Sequence, residues 1–125
     1  MSDDELNSLT ERIIGGAFKV LNTLGVGFME EVYHNALAHE LTQSGLLVEK
    51  KAQIQVFYEG VEVGKFIPDL IVNDVVIVEL KSTKSHHDVF TAQCLNYLKA
   101  TKKPLCLLLN FGTPQLGIKR YRGTD

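Results

Sequence analysis

Three ionisable residues stand inside apolar segments of this chain. Asp69 lies in KFIPDLIV, and both Glu79 and Lys81 lie in VVIVELK. An ionised group in such a segment is costly unless it is paired or bound to a metal. Two carboxylates brought together favour a divalent cation, and oxygen ligands suit Mg²⁺ or Mn²⁺. A neighbouring lysine can stabilise charge on a phosphate under attack, so these residues indicate metal-dependent phosphodiester chemistry. The alternative interpretation is an ion pair at the end of a strand.

The geometry of a strand sets a condition on this site. Glu79 and Lys81 project from one face, because side chains alternate along a strand. A two-residue turn at Asn73-Asp74 would place Asp69 on the opposite face, whereas a three-residue turn at 72–74 would place it on the same face. A bulge in the preceding strand would have the same effect. The sequence therefore predicts an odd-length turn or a bulge before the second strand.

The elements that position these residues follow from the spacing of apolar residues. Apolar residues at helical spacing predict a first helix over 4–24, capped by Ser2 or Asp3. They also predict a second helix over 28–43, whose inward-facing residues are Val32, Ala36, Leu37 and Leu41. A Ser-x-x-acid start at Ser85 predicts a third helix to about residue 100. Period-two patterns and buried apolar runs predict strands over 47–60, 61–72, 75–81, 104–111 and 115–122, with a tight turn at Glu59-Gly60. The order α-α-β-β-β-α-β-β predicts a mixed sheet flanked by helices, in the α/β or α+β class.

Length and composition describe an ordinary globular chain. The 125 residues, 45% hydrophobic and 22% charged, predict a single domain over 1–125. No apolar run is long enough to cross a membrane. The acidic, polar start is unlike a signal peptide, so we expect a cytoplasmic protein. Cys94 and Cys106 stand in apolar contexts and are expected to be buried free thiols.

Charge gives mixed indications about nucleic acid. The net charge of −2 argues against a tight, non-specific hold on DNA, although acidic metal ligands contribute to it. Basic residues cluster toward the C-terminus, at Lys99, Lys102, Lys103, Lys119, Arg120 and Arg122. These clusters either follow a nucleic-acid backbone or, where lysines end a helix, complement its dipole.

Four ordered blocks of the sequence resemble a known family. Pro68-Asp69 followed by Glu79-Leu80-Lys81 matches the PD-(D/E)xK pattern of the restriction-endonuclease-like nucleases. Residues 27–33, GFMEEVY, have the G-x-x-E-x-x-Y form of the GxxExxY family within that superfamily, and AQCLNYL (92–98) and LLLNFG (107–112) are also similar to it. The resemblance extends from about residue 8 to residue 122.

The resemblance implies a fold with an αβββαβ core and a Mg²⁺-dependent phosphodiesterase site. Asp69 and Glu79 would be metal ligands, and Lys81 would act at the attacking water. Glu30 would be an additional acidic ligand or a water-binding group. The other interpretation of Glu30 is an exposed acid at a helix N-terminus, where acids are favoured.

Two further residues, Gln93 and Tyr97, resemble the Q-x-x-x-Y element that lies beside the metal site in RecB-like nucleases. They are four residues apart and share one face of the predicted third helix. Their alternative interpretation is a buried tyrosine that is hydrogen-bonded near the sheet. Gly27, Glu30 and Tyr33 likewise line one face of the second helix, and the glycine permits a close approach at its start.

Together these features predict an enzyme, a divalent-metal-dependent nuclease that hydrolyses phosphodiester bonds through a metal-bound water. The expected substrate is DNA rather than RNA, and the expected cofactor is Mg²⁺ or Mn²⁺. A homodimer presenting two sites is a further hypothesis, because one small chain covers little of a duplex. The alternative is a weak or inactive module of the same fold that binds nucleic acid or a protein partner.

Overall fold

The computed structural model describes residues 1–123, which form three helices and seven strands. In chain order the elements are α1 (Asp3–Leu24), α2 (Glu30–Gln43), β1 (Val48–Lys50), β2 (Ile54–Tyr58), β3 (Val61–Phe66), β4 (Leu70–Val72), β5 (Val76–Lys81), α3 (Asp88–Thr101), β6 (Leu105–Asn110) and β7 (Gly117–Arg122).

Five of the strands form the central sheet, in the order β1-β4-β5-β6-β7. The β5–β6 pair is parallel, and the pairs β1–β4, β4–β5 and β6–β7 are antiparallel. The remaining strands, β2 and β3, form a separate antiparallel hairpin. The predicted class, a mixed central sheet flanked by helices, is confirmed.

Helices cover the sheet on both faces. One face packs against α1 and α2 through residues such as Leu70, Val78 and Leu80. The other face packs against α3 and includes Ile71 and Ile77. Burial on both faces explains why β5 and β6 are near-continuous apolar runs rather than alternating ones. Both cysteines are buried and free in the α3 layer, as predicted.

The helices before the sheet largely match the prediction. Ser2 caps α1 in a reciprocal capping box with Glu5, and the apolar stripe of α1 is buried. In α2, however, the predicted inward position of Val32 is wrong, because its side chain is 37% exposed. Tyr33 takes the inward position instead, and Leu37, one turn later on the same face of the helix, is also buried. None of the helices within residues 1–123 combines the length and apolar character needed to cross a bilayer.

The two long strands predicted over 47–60 and 61–72 are wrong as continuous elements, because each is divided in two. The last β1–β4 pair is Lys50 with Leu70, and the hairpin begins with Ile54 and Phe66. Between these pairs, the segment from β1 to β2 turns at Lys51, whose φ is +61°, and the segment from β3 to β4 passes through Pro68. A proline has no N–H to donate to the hydrogen-bond ladder between strands, so both segments leave the central sheet at this point. The turn predicted at Glu59-Gly60 is present.

The start of the third helix also differs from the prediction. The helix begins at Asp88 after His87, without a side-chain cap, rather than at Ser85. The Thr83 hydroxyl donates to the carbonyl of Ser85 at 2.6 Å, and the Asn110 side chain accepts the Thr83 N–H at 3.1 Å. These bonds hold the segment after β5 as a loop attached to β6, so it cannot join the helix.

Candidate active site

Asp69 and Glu79 face each other at one end of the central sheet. The β4–β5 register pairs Val72 with Val76 across a three-residue turn. Continuing this register places Asp69 opposite Glu79, on the face covered by α3. The predicted odd-length turn is therefore present, although it lies one residue later than the predicted position at 72–74.

The backbone around these two carboxylates bonds them reciprocally. Asp69 lies one residue before β4, and its N–H donates to Oε1 of Glu79 at 3.0 Å. The N–H of Leu80 in turn donates to Oδ2 of Asp69 at 2.8 Å. The other oxygens, Oδ1 of Asp69 and Oε2 of Glu79, accept no hydrogen bond from residues 1–123. One oxygen of each carboxylate is therefore fixed, and the other is available to a ligand.

The electrostatics of the pair favour a cation. Glu79 is 3% exposed, and burial, followed by the charge of Asp69, raises the pKa of its carboxyl from 4.5 to about 8. The N–H of Asp69 and the charge of Lys81 act in the opposite direction but do not cancel these causes. A divalent cation held by Asp69 and Glu79 would offset the repulsion between them, and carboxylate donors of this kind fit Mg²⁺ or Mn²⁺.

Lys81 follows Glu79 on the same face, at the end of β5. Its Nζ lies 4.8 Å from the centre of the Phe90 ring. Within residues 1–123 it forms no ion pair shorter than 4 Å, so its charge is not committed to a carboxylate. It lines a cavity of about 240 Å³ together with His86 and Lys119. Lys81 is half-buried, and its charge acts on the carboxyls of both Glu79 and Glu30.

Glu30 reaches the same end of the sheet from the first turn of α2. Its carboxylate is in the field of Lys81 and Asp69, and partial burial raises its pKa above the ordinary value. In the described part of the chain, no three His, Cys, Asp or Glu side chains lie close enough together to hold one metal ion. Glu30 therefore forms no three-ligand group with Asp69 and Glu79, although the charge of Asp69 acts on its carboxyl.

The G-x-x-E-x-x-Y block has a structural explanation in the turn between α1 and α2. The Tyr33 hydroxyl donates to the carbonyl of Gly25 at 2.6 Å and accepts the N–H of Phe28 at 3.2 Å. Gly27 adopts a φ of +108°, which is strained for a residue with a side chain. The tyrosine and the glycine therefore fix the turn from which Glu30 emerges.

Gln93 and Tyr97 lie on α3 above the carboxylate face. The Gln93 amide donates to the Tyr97 hydroxyl at 2.6 Å, and the Tyr97 ring stacks on Phe66 at 4.0 Å. Burial, followed by the charge of Glu79, raises the pKa of Tyr97 to about 12. The structure thus brings this pair beside Glu79, and it also gives the tyrosine the buried hydrogen bond that the alternative interpretation required.

Sequence reasoning missed His34, which is part of the same arrangement. Its Nε2 lies 2.8 Å from the backbone carbonyl oxygen of Asp69. It follows Glu30 by four residues, so both side chains occupy one face of α2. That spacing was the available signal. Without the fold, however, nothing connected this helix face with Asp69.

The LLLNFG block attaches the end of β5 to β6. The Asn110 side chain accepts the N–H groups of Thr83 and Gly112, at 3.1 and 2.9 Å. Phe111 donates its N–H to the carbonyl of Lys81 at 2.8 Å, and its ring stacks on Tyr33 at 4.9 Å. The block therefore positions Lys81, although it contributes no group to the carboxylate pair.

Comparisons with known proteins agree with this geometry. A family model described as the PD-(D/E)XK nuclease superfamily matches residues 7–121. The structure is similar to that of an alkaline exonuclease from Laribacter hongkongensis, with a TM-score of 0.57 and 16% sequence identity. The match covers 76% of this chain and 56% of that one, so the chain spans little more than half of the exonuclease. No match was found among curated protein sequences.

Proposed function

Because this chain belongs to the PD-(D/E)XK nuclease superfamily, we propose that it is a divalent-metal-dependent nuclease that hydrolyses phosphodiester bonds in nucleic acid. The observation that carries the proposal is the Asp69–Glu79 pair. Its two fixed oxygens orient the carboxylates, and its two free oxygens lie where mutual repulsion favours a cation. The form of residues 27–33 supports assignment to the GxxExxY family within the superfamily.

Asp69 and Glu79 would hold the metal, and solvent would complete its coordination. Mg²⁺ commonly binds through one or two carboxylates and keeps several waters, so two side chains are enough. The ion, Mg²⁺ or Mn²⁺, would supply a nucleophile at neutral pH and neutralise charge on the phosphate.

The remaining residues act on the phosphate and on water. The Lys81 ammonium, free of ion pairs within residues 1–123, stabilises the negative charge that grows on the phosphate oxygens. Glu30, whose raised pKa reflects partial burial, accepts a hydrogen bond from the attacking water or from a water beside the metal. Tyr97 and its partner Gln93 close the α3 side and limit solvent around Glu79.

DNA is the proposed substrate, ahead of RNA, and the proposed setting is the cytoplasm. The similarity to an alkaline exonuclease supports a nucleic-acid chain as the substrate class. A homodimer that presents two sites remains part of the proposal, and light scattering coupled to size-exclusion chromatography tests it.

Cleavage assays test the catalytic proposal. We expect Mn²⁺- or Mg²⁺-dependent cleavage of at least one member of a panel of single-stranded, duplex and branched substrates. Asp69→Asn, Glu79→Gln and Lys81→Ala should each abolish it. Asp74→Asn, at the other end of the same strand pair, is the matched control and should retain activity. If the folded, metal-replete protein cleaves no substrate in the panel, the proposed nuclease activity is refuted.

A second candidate function is binding without turnover, by a module that keeps the fold. One observation favours it: the ammonium of Lys81 rests on the ring of Phe90. Isothermal titration with Mn²⁺ separates the two functions. The nuclease should bind Mn²⁺ with an affinity that collapses in Asp69→Asn, whereas a pure binding module need not bind the metal.

A further inference from the structure

A groove separates the β2–β3 hairpin from α3, on the face of the molecule that carries Glu79. Its volume is about 430 Å³, within the range of about 300–1,000 Å³ typical of pockets for small ligands. Three aromatic residues line it, Phe57, Phe66 and Tyr97, and its polar side chains include Asn96 and Lys99. We call this feature the hairpin groove.

The hairpin exposes more apolar surface than the core requires. Phe57 is 59% exposed on the groove wall, and Tyr58, Val61 and Val63 near the hairpin tip are 59–65% exposed. Within residues 1–123 the hairpin pairs with no strand of the central sheet. Of these four side chains, Phe57 is the one that belongs to the groove lining, so it is the one that a ligand in the groove would contact.

Tyr97 is common to the groove and the candidate active site. It lines the groove, its hydroxyl accepts a hydrogen bond from the Gln93 amide, and the charges of Glu79 and Asp69 act on that hydroxyl. The parallel stack of Phe66 on Tyr97, at 4.0 Å between ring centres, covers one face of each ring, whereas Phe57 remains 59% exposed on the groove wall. A ligand in the groove would therefore contact a residue that the charges of the carboxylate pair also reach.

The charge around the groove complements a phosphate backbone. Lys99 lies on its edge, and Lys102 ends the same helix. Neither forms an ion pair within 4 Å in the described part of the chain. Of the other four residues in the basic clusters, Lys103 pairs with Asp74, Arg122 pairs with Asp3 and Arg120 donates to Asn7, whereas Lys119 lines the cavity beside Lys81.

We propose that the hairpin groove binds an unpaired base of single-stranded DNA next to the phosphate to be cut. This inference rests on the proposed nuclease function and specifies its substrate as a single strand or a single-stranded end. Aromatic walls stack on any base that is free of its partner, and a nearby lysine follows the backbone. Bases inside a continuous duplex are already stacked and paired, so they cannot enter the groove.

The walls also favour DNA over RNA. Apart from Tyr97, whose hydroxyl is engaged by Gln93, Asn96 is the uncharged polar side chain of the lining. A ribose 2′-hydroxyl would therefore find few hydrogen-bond partners in the groove, and the loss of its water would be poorly compensated.

Fluorescence anisotropy with a labelled 12-nucleotide DNA strand, in EDTA, tests the groove without any cleavage. Phe57→Ala should raise the Kd at least fivefold, as expected for the loss of one base–aromatic stack at about 1–3 kcal/mol. Tyr58→Ala, an equally exposed aromatic outside the groove lining, is the matched control and should bind as the wild type does. Lys99→Gln should also raise the Kd, and should do so more than Lys102→Gln does. It should likewise reduce the salt dependence of the Kd more than Lys102→Gln does.

Several outcomes would overturn the proposal that the hairpin groove binds single-stranded DNA. One is an equal effect of Phe57→Ala and Tyr58→Ala, and another is binding of a blunt duplex or of single-stranded RNA as tight as that of the DNA strand. A wild-type dimer that Phe57→Ala dissociates would show that the face joins two copies of this chain. The nuclease proposal fails separately: groove-dependent binding without any metal-dependent cleavage would refute turnover alone, and cleavage unaffected by Phe57→Ala would refute the groove alone.

Discussion

Replacing the buried acid of the carboxylate pair should change how the stability of the metal-free protein depends on pH. Between pH 4.5 and about 8, the folded state retains a proton on Glu79 that the unfolded state has released. The free energy of unfolding must therefore fall as the pH rises through this interval. Glu79→Gln removes that dependence, because the amide is neutral throughout and its oxygen can still accept the Asp69 N–H.

The size of the effect follows from the raised pKa. Each pH unit between the two pKa values changes stability by about 1.4 kcal/mol, so the whole interval corresponds to about 3–5 kcal/mol. We expect Glu79→Gln and the wild type to have similar stability at pH 5. At pH 9 the variant should be more stable by about that amount. In a protein whose total stability is about 5–15 kcal/mol, such a difference is readily measured.

Urea denaturation in EDTA, repeated from pH 5 to pH 9, measures the difference directly. Glu31→Gln is the matched control, since it removes one acid from the exposed side of α2, and its curve should run parallel to that of the wild type. If the gap between Glu79→Gln and the wild type stays constant from pH 5 to pH 9, the carboxyl is not protonated in the folded state. The electrostatic argument for a cation would then be wrong.

Three other substitutions test the packing around the site, each by urea denaturation. Tyr33→Phe should destabilise the protein by about 1–3 kcal/mol, since the ring remains but the bond to the Gly25 carbonyl is lost; an unchanged stability would contradict the role of the hydroxyl. Gly112→Ala should cost about 1–3 kcal/mol, because its Cβ would overlap the backbone after β5, whereas Gly64→Ala, with open space around it, should be near neutral; equal effects would exclude the close approach. Gly15→Ala, on the exposed side of α1, should stabilise by about 0.5–1 kcal/mol, and any loss of stability would show a contact that the structure lacks.

The sequence was sufficient to predict that the β4–β5 turn has an odd number of residues, but not which residues form it. Parity follows from a physical requirement, because a slip of one residue would have sent Asp69 to the face opposite Glu79. Position depends on which residues take left-handed backbone conformations. Asn73 and Asp74 both do, with φ of +51° and +60°, and the turn then needs one further residue. Nothing in the local sequence decides on which side of Asn-Asp that residue lies.

The division of the long strands was not predictable from periodicity. Glu49, Lys50 and Lys51 interrupt the alternation where the chain turns, but it resumes at Ala52, and an exposed part of one continuous strand could carry the same three residues. Pro68 was a usable signal, since a proline interrupts a ladder, but it is compatible with a bulge in one continuous strand as well as with the observed break. The contact of His34 with Asp69 depends on how α2 packs beside the sheet, and so it has no counterpart in the spacing of residues along the chain.

The strand break and the carboxylate pair have one structural cause. The break at Pro68 leaves Asp69 just outside β4, and its N–H then donates to Glu79 instead of joining a ladder. Two acids are thereby held side by side at the end of the sheet, which lowers the stability of the metal-free fold as the pH rises. A bound divalent cation would recover that free energy, so the repulsion between the acids and the affinity for the metal should rise and fall together. A variant that relieves the repulsion, such as Glu79→Gln, should therefore gain stability and lose metal affinity at the same time.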